Sequence, residues 1–168
     1  NLGGFDLQIT DMEFCLMAFS LVVIGAGGYI INDYFDTKVD RRNKRYRNVV
    51  GKTIKRRVAM ALHIVANAVG ILVGIYLSYQ FQSYYLWFLN VFYAGLLWYY
   101  STHFKHQPLI GNVLISLLTG LLPLIVAVYE LPLIVDAYID GGAFIKTHIS
   151  YMFFFLLGFS VFGFLTNL

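Results

Sequence analysis

The chain has 168 residues, of which 59% are hydrophobic, 18% aromatic and 12% charged, and its formal net charge is +3. Soluble domains average about 45–50% apolar and about 25% charged residues, so a disordered chain, a disulfide-stapled miniprotein and an ordinary soluble enzyme are excluded. The one cysteine, Cys15, forms no internal disulfide and no cysteine-built metal site; it reads as a small apolar residue within a helix.

Crossing a bilayer takes about 20 mostly apolar residues. Five stretches meet this: about Met12–Ile31, Val58–Tyr79, Tyr84–Tyr100, Leu109–Tyr129 and Ile149–Leu168. Too little polar sequence separates them to coat a soluble fold. The class is therefore all-α, a polytopic membrane helix bundle with five transmembrane helices. Asn1 is not a start methionine and Leu168 ends inside an apolar run. The expectation is one partial domain over residues 1–168, with a parent that continues at both ends.

Small residues at Gly25-Ala26-Gly27-Gly28 and Gly70-x-x-x-Gly74 suit close helix approach rather than a nucleotide loop. His63 reads as a packing residue, and His103 and His106 as interfacial. Pro123 sits inside span four. Asp136, Asp140 and Gly141-Gly142 read as an exposed outer loop.

Ten of the twelve Lys and Arg residues lie between Lys38 and Arg57, joining spans one and two. Lys105 follows span three and must emerge on the same face; Lys146 is on the other. Asp6, Asp11, Glu13, Glu130, Asp136 and Asp140 share that other face. The bias of eleven cations to one places the basic connection in the cytoplasm.

Three carboxylates break the pattern on the basic face, in Asn32-Asp33-Tyr34-Phe35-Asp36-Thr37-Lys38-Val39-Asp40. On a continuing helix Asp33, Asp36 and Asp40 fall within about 60° of one another, and Asn32 widens the arc to about 100°. Like charges on one face repel, so a cation must compensate. Carboxylates and an amide oxygen form a hard-ligand set suited to Mg2+ and substrate phosphate. Arg41, Lys44, Arg45 and Arg47 flank the set. A second group, Trp98-Tyr99-Tyr100-Ser101-Thr102-His103-Phe104-Lys105, ends span three on the same face, and Lys105 is a point-charge partner for phosphate.

Asn32-Asp33-x-x-Asp36-x-x-x-Asp40 resembles the first aspartate motif of the UbiA superfamily of intramembrane prenyltransferases. Ala26-Gly27-Gly28-Tyr29-Ile30-Ile31 before it, Tyr100-Ser101 with Lys105, and Gly111-Asn112 extend the likeness over most of the chain. The chain looks most like the bacterial geranylgeranylglycerol-phosphate geranylgeranyltransferase-like branch, a likeness that implies a bacterial inner (cytoplasmic) membrane. It departs at Asn43-Lys44-Arg45-Tyr46-Arg47-Asn48, which lacks the prolines many members carry there.

The resemblance implies that the five spans match helices two to six of a nine-helix fold. It places the family's second aspartate motif after Leu168, so this piece alone is expected to be inactive. It implies Mg2+-dependent transfer of a prenyl group from an isoprenoid diphosphate to a lipophilic, aromatic or glycerol-phosphate acceptor. Asn32, Asp33, Asp36 and Asp40 would hold the metal, with the three aspartates catalytic. Lys105, Arg41, Lys44, Arg45, Arg47 and Tyr100 would meet the diphosphate. Expected partners are the bilayer, the diphosphate and the acceptor, with no nucleic acid. Two other readings stand beside it: a cation-binding transporter or channel subunit, and a non-catalytic membrane fragment. A CDP-alcohol phosphotransferase is disfavoured by the lack of an Asp-Gly-x-x-Ala-Arg string.

Overall fold

A computed structural model describes residues 7–42, 50, 53–105, 107–137 and 142–168. The described elements are helical throughout: α1 (Asp11–Arg42), α2 (Arg56–Gln80), α3 (Leu86–Tyr99), a π-helical turn (Tyr100–Phe104), α4 (Pro108–Ala137) and α5 (Gly142–Asn167). An isolated bridge pairs Val50 with Ile54. Apolar solvent offers no partners to backbone N–H and C=O groups, so such sequences close their hydrogen bonds within helices.

Helix α1 opens on a capping box. Thr10 Oγ1 accepts from the Glu13 backbone N–H at 3.3 Å, and the Thr10 N–H donates to Glu13 Oε2 at 2.9 Å. The helix has 32 residues, or about 48 Å at 1.5 Å per residue, against about 30 Å of hydrocarbon. Its end therefore projects beyond the apolar layer, and that end carries the aspartates.

The chain divides into two compact units, Cys15–Pro108 and the segments Asn1–Phe14 with Leu109–Leu168. In the first, α1 buries Met17, Ser20, Ile24, Gly27, Gly28 and Ile31. Apart from Gly28, their spacing of three and four is that of a coiled-coil seam. Gly27 lies against Ala66 and Asn67 of α2, and Gly28 against Leu97 of α3. A side chain at Gly70 would meet Ile24 and come within 2.9 Å of the Ser20 carbonyl oxygen. Asn90 of α3 is fully buried and donates to Ser20 Oγ at 3.1 Å and to the Gly70 carbonyl at 2.8 Å. That amide ties three helices together where lipid gives no hydrophobic drive. His63 lies 2.9 Å from the Gly27 carbonyl, the packing role expected of it.

In the second unit α4 meets α5 at Gly120, where an added Cβ would lie 2.7 Å from the Ser160 carbonyl oxygen. Ile134 packs on Ile149 and Met152. Glu130 is 3% exposed, and its two oxygens accept from the backbone N–H groups of Gln8 at 2.5 Å and Ile9 at 3.0 Å. The carboxylate thus acts as the acceptor for a segment that has not yet entered a helix.

Several boundaries change. Four helices are long and apolar enough to span: Asp11–Asp36, Arg56–Gln80, Leu109–Ala137 and Ile149–Asn167. The third expected span is instead a 14-residue α-helix with a five-residue π-turn. It starts late because the chain first turns at Phe81–Tyr85, where Gln82 adopts φ 51°. Span four continues past Tyr129 to Ala137 with Pro123 and Pro132 inside it. Asp136, expected in a loop, is an exposed residue of its last turn, while Asp140 and Gly141 lie outside the described residues. Cys15 is in a helix as expected, on its exposed side.

Candidate active site

The site gathers at one end of the unit Cys15–Pro108, where α1 ends, α2 begins and α3 gives way to its π-turn. Helix α1 runs unbroken through the acidic motif, so the periodicity argument for one shared face applies to the backbone directly. Asp33 is exposed. Asp36 is largely buried, with 23% of its side chain exposed, and Lys105 Nζ donates to its Oδ2.

The π-turn is what delivers Lys105. The Lys105 backbone N–H reaches the Tyr100 carbonyl, five residues back, at 3.0 Å. Such a wide turn inserts one residue into the helical register and re-aims the side chains beyond it. Local hydroxyls support it. Ser101 Oγ donates to the Leu97 carbonyl at 2.9 Å, and Thr102 Oγ1 to the Trp98 and Tyr99 carbonyls at 3.1 Å each. Tyr99 stacks on His103 at 4.6 Å and meets Phe104 edge-on at 5.0 Å. His103 thus belongs to an aromatic interfacial cluster, and His106 lies outside the described residues. Tyr100 is half-buried within the field of the Asp36 carboxylate.

Asn32 is half-buried, and its Oδ1 is fully buried with no hydrogen-bond partner among the described residues. An unsatisfied buried acceptor costs about 1–3 kcal/mol. It lies about 40° around α1 from Asp36. The donor set at this end is thus two carboxylates and an unspent amide oxygen, which fits a hard divalent cation such as Mg2+. Among the described residues no three His, Cys, Asp or Glu side chains gather in one place. The Asp40 and Arg41 side chains, and Lys44, Arg45 and Arg47 altogether, lie outside the described residues.

One residue was missed by sequence reasoning. Arg56, first in α2, sets its guanidinium 4.4 Å from the centroid of the Tyr34 ring, inside the acidic motif. Its signal was present in the basic run, where it served only to set orientation.

Together, the fold and site define a polytopic integral membrane protein that gathers acids, an amide and a cation at one helix end. Residues 4–167 match the UbiA prenyltransferase family, and the chain belongs to that family. It is similar to the digeranylgeranylglyceryl phosphate synthase of Sulfurisphaera tokodaii, 32% identical over 154 residues, covering 90% of this chain and 51% of that protein. The synthase of the same name from Ignicoccus hospitalis is 37% identical over 126 residues, covering 70% of this chain and 37% of that one. That of Methanothermobacter thermautotrophicus is 38% identical over 112 residues, covering 65% and 38%. The chain therefore spans about half the length of the first relative and less of the others. No solved structure matches it.

Proposed function

We propose that the whole protein is an intramembrane prenyltransferase that ionises an isoprenoid diphosphate at the α1 end and passes the prenyl group to a lipid acceptor. The observation that carries this reading is the Asp36–Lys105 pair beside the unpartnered Asn32 oxygen. It supports a place for a cation next to a place for an anion.

Asn32, Asp33 and Asp36, with Asp40 by its position in the motif, would hold Mg2+, which when bound neutralises charge growing on the leaving diphosphate. Lys105 binds the diphosphate directly, with Arg41, Lys44, Arg45 and Arg47 in supporting roles and Tyr100 beside it. Apolar helices keep water from the allylic cation, and aromatic faces stabilise it. The relatives are named for making digeranylgeranylglyceryl phosphate, which supports a glycerol-phosphate acceptor over an aromatic one.

We read the active face as cytoplasmic because the lysines and arginines concentrate there. The host membrane is proposed as a bacterial inner membrane on the branch resemblance alone; the named relatives are archaeal. The site's position at a helix end favours catalysis over ion transport, which needs acids nearer the bilayer middle. Glu130, buried in α4, already has both oxygens engaged by backbone.

The test is prenyl transfer by the full-length protein in nanodiscs with labelled geranylgeranyl diphosphate, glycerol-phosphate or aromatic acceptors, and Mg2+. Asp36→Asn is expected to abolish transfer with folding intact. Near-normal turnover by that variant overturns the assignment.

A further inference from the structure

The end of α1 is gripped from two opposite sides. On one, Asp36 pairs with Lys105. Tyr34 lies about 160° around the helix from Asp36 and faces the start of α2. There Arg56 covers its ring at 4.4 Å. The inner edge of the guanidinium has given up water for this contact: its Nε is fully buried and has no hydrogen-bond partner among the described residues. A desolvated cation over an aromatic face is held more tightly than an exposed one. Tyr34 also meets Phe35 edge-on at 5.4 Å, which limits the ring's freedom to turn away.

The two grips differ in what substrate does to them. The Asp36–Lys105 pair joins the group that would take a metal to the group that would take a diphosphate. Occupying the site would draw each toward a partner of stronger charge and so loosen the pair. The Arg56–Tyr34 contact engages no acid of the motif, so that exchange would leave it in place.

We propose that Arg56 is a positioning residue: through the ring of Tyr34 it holds the end of α1, and with it Asp33 and Asp36, in place while the Asp36–Lys105 pair opens. The need for opening rests on the function proposed above; the grip itself does not.

Hydrogen exchange separates the two. In the full-length protein in nanodiscs without substrate, Asp36→Ala removes the acceptor of Lys105 and so opens the pair. Exchange is then followed in peptides covering Asn32–Arg41. Asp36→Ala alone and Arg56→Gln alone are expected to change exchange little, because one grip remains in each. The double variant is expected to exchange about tenfold faster there. In the Asp36→Ala background, Tyr34→Trp keeps an aromatic face for Arg56 and keeps protection, and Tyr34→Leu loses it. A double variant no faster than Asp36→Ala overturns the proposal, as does full protection in Tyr34→Leu in that background.

The consequence for the site is read by Mn2+ titration followed by electron paramagnetic resonance, with geranylgeranyl diphosphate present. Arg56→Gln is expected to weaken Mn2+ binding several-fold, and Arg56→Lys to rescue it in part. If exchange behaves as expected and wild type binds no Mn2+, the functional reading fails and the grip stands. Unaltered Mn2+ affinity in Arg56→Gln, with wild type binding normally, overturns the positioning role.

Discussion

Lys105 Nζ is bonded to Asp36 Oδ2 across 69 residues of chain, joining the end of α1 to the turn that closes α3. Both side chains are mostly buried, at 20% and 23% exposed. Removing one partner leaves the other charge poorly solvated. Lys105→Met is expected to destabilise the protein by about 1–3 kcal/mol and to remove prenyl transfer. The exchange of Asp36→Lys with Lys105→Asp is expected to restore stability without activity, because metal and phosphate groups then stand in each other's places. Thermal unfolding in detergent beside a transfer assay reads both halves.

The π-turn sets where Lys105 points. Inserting one alanine between Phe104 and Lys105 advances Lys105 by one residue and rotates it by about 100° relative to α3. The expected outcome is unchanged helix content with transfer reduced about a hundredfold or more, since a misplaced phosphate ligand is costly. Circular dichroism and steady-state kinetics check it.

Close helix contact separates glycines that packing requires from those it does not. At Gly70 an added methyl runs into Ile24 and the Ser20 carbonyl, and at Gly74 it comes within 2.6 Å of Asn90 Nδ2. Gly70→Ala is expected to lower the melting temperature clearly, and Asn90→Leu to cost about 0.6–2 kcal/mol by deleting the amide's two hydrogen bonds. Nothing lies within 4 Å of a Cβ at Gly25. Gly25→Ala is expected to stabilise α1 by up to about 1 kcal/mol through helix propensity. Unfolding series in one detergent compare the three.

Glu130 anchors the segment before α1 through two backbone hydrogen bonds. Glu130→Leu removes both acceptors. Limited proteolysis is then expected to cut between Leu7 and Thr10 in the variant and not in the parent. Glu130→Gln retains one acceptor oxygen and is expected to fall between them.

The contrast between Asp36 and its partners shows what was legible. Hydropathy located four helices long and apolar enough to cross, and the spacing of Asn32, Asp33 and Asp36 placed them on one face, because both are properties of a short stretch of chain. Hydropathy did not separate the packed face of α1 from its lipid face, since both are apolar; glycine, serine and the seam at Met17, Ser20, Ile24, Gly27 and Ile31 mark it. The shortened α3 and the continuation of α4 through Pro132 depend on where the chain turns and on what neighbouring helices satisfy.

The sequence alone thus determined a polytopic all-helical protein, the charged bias of its faces and the helix end that bears its acids. Tertiary structure decided which partner each side chain meets: Lys105 for Asp36, Arg56 for Tyr34, and backbone N–H groups for Glu130. Those contacts join positions separated by tens of residues, and their existence rests on which helices lie side by side. A repeat of three or four residues records one helix's faces and carries no account of its neighbours.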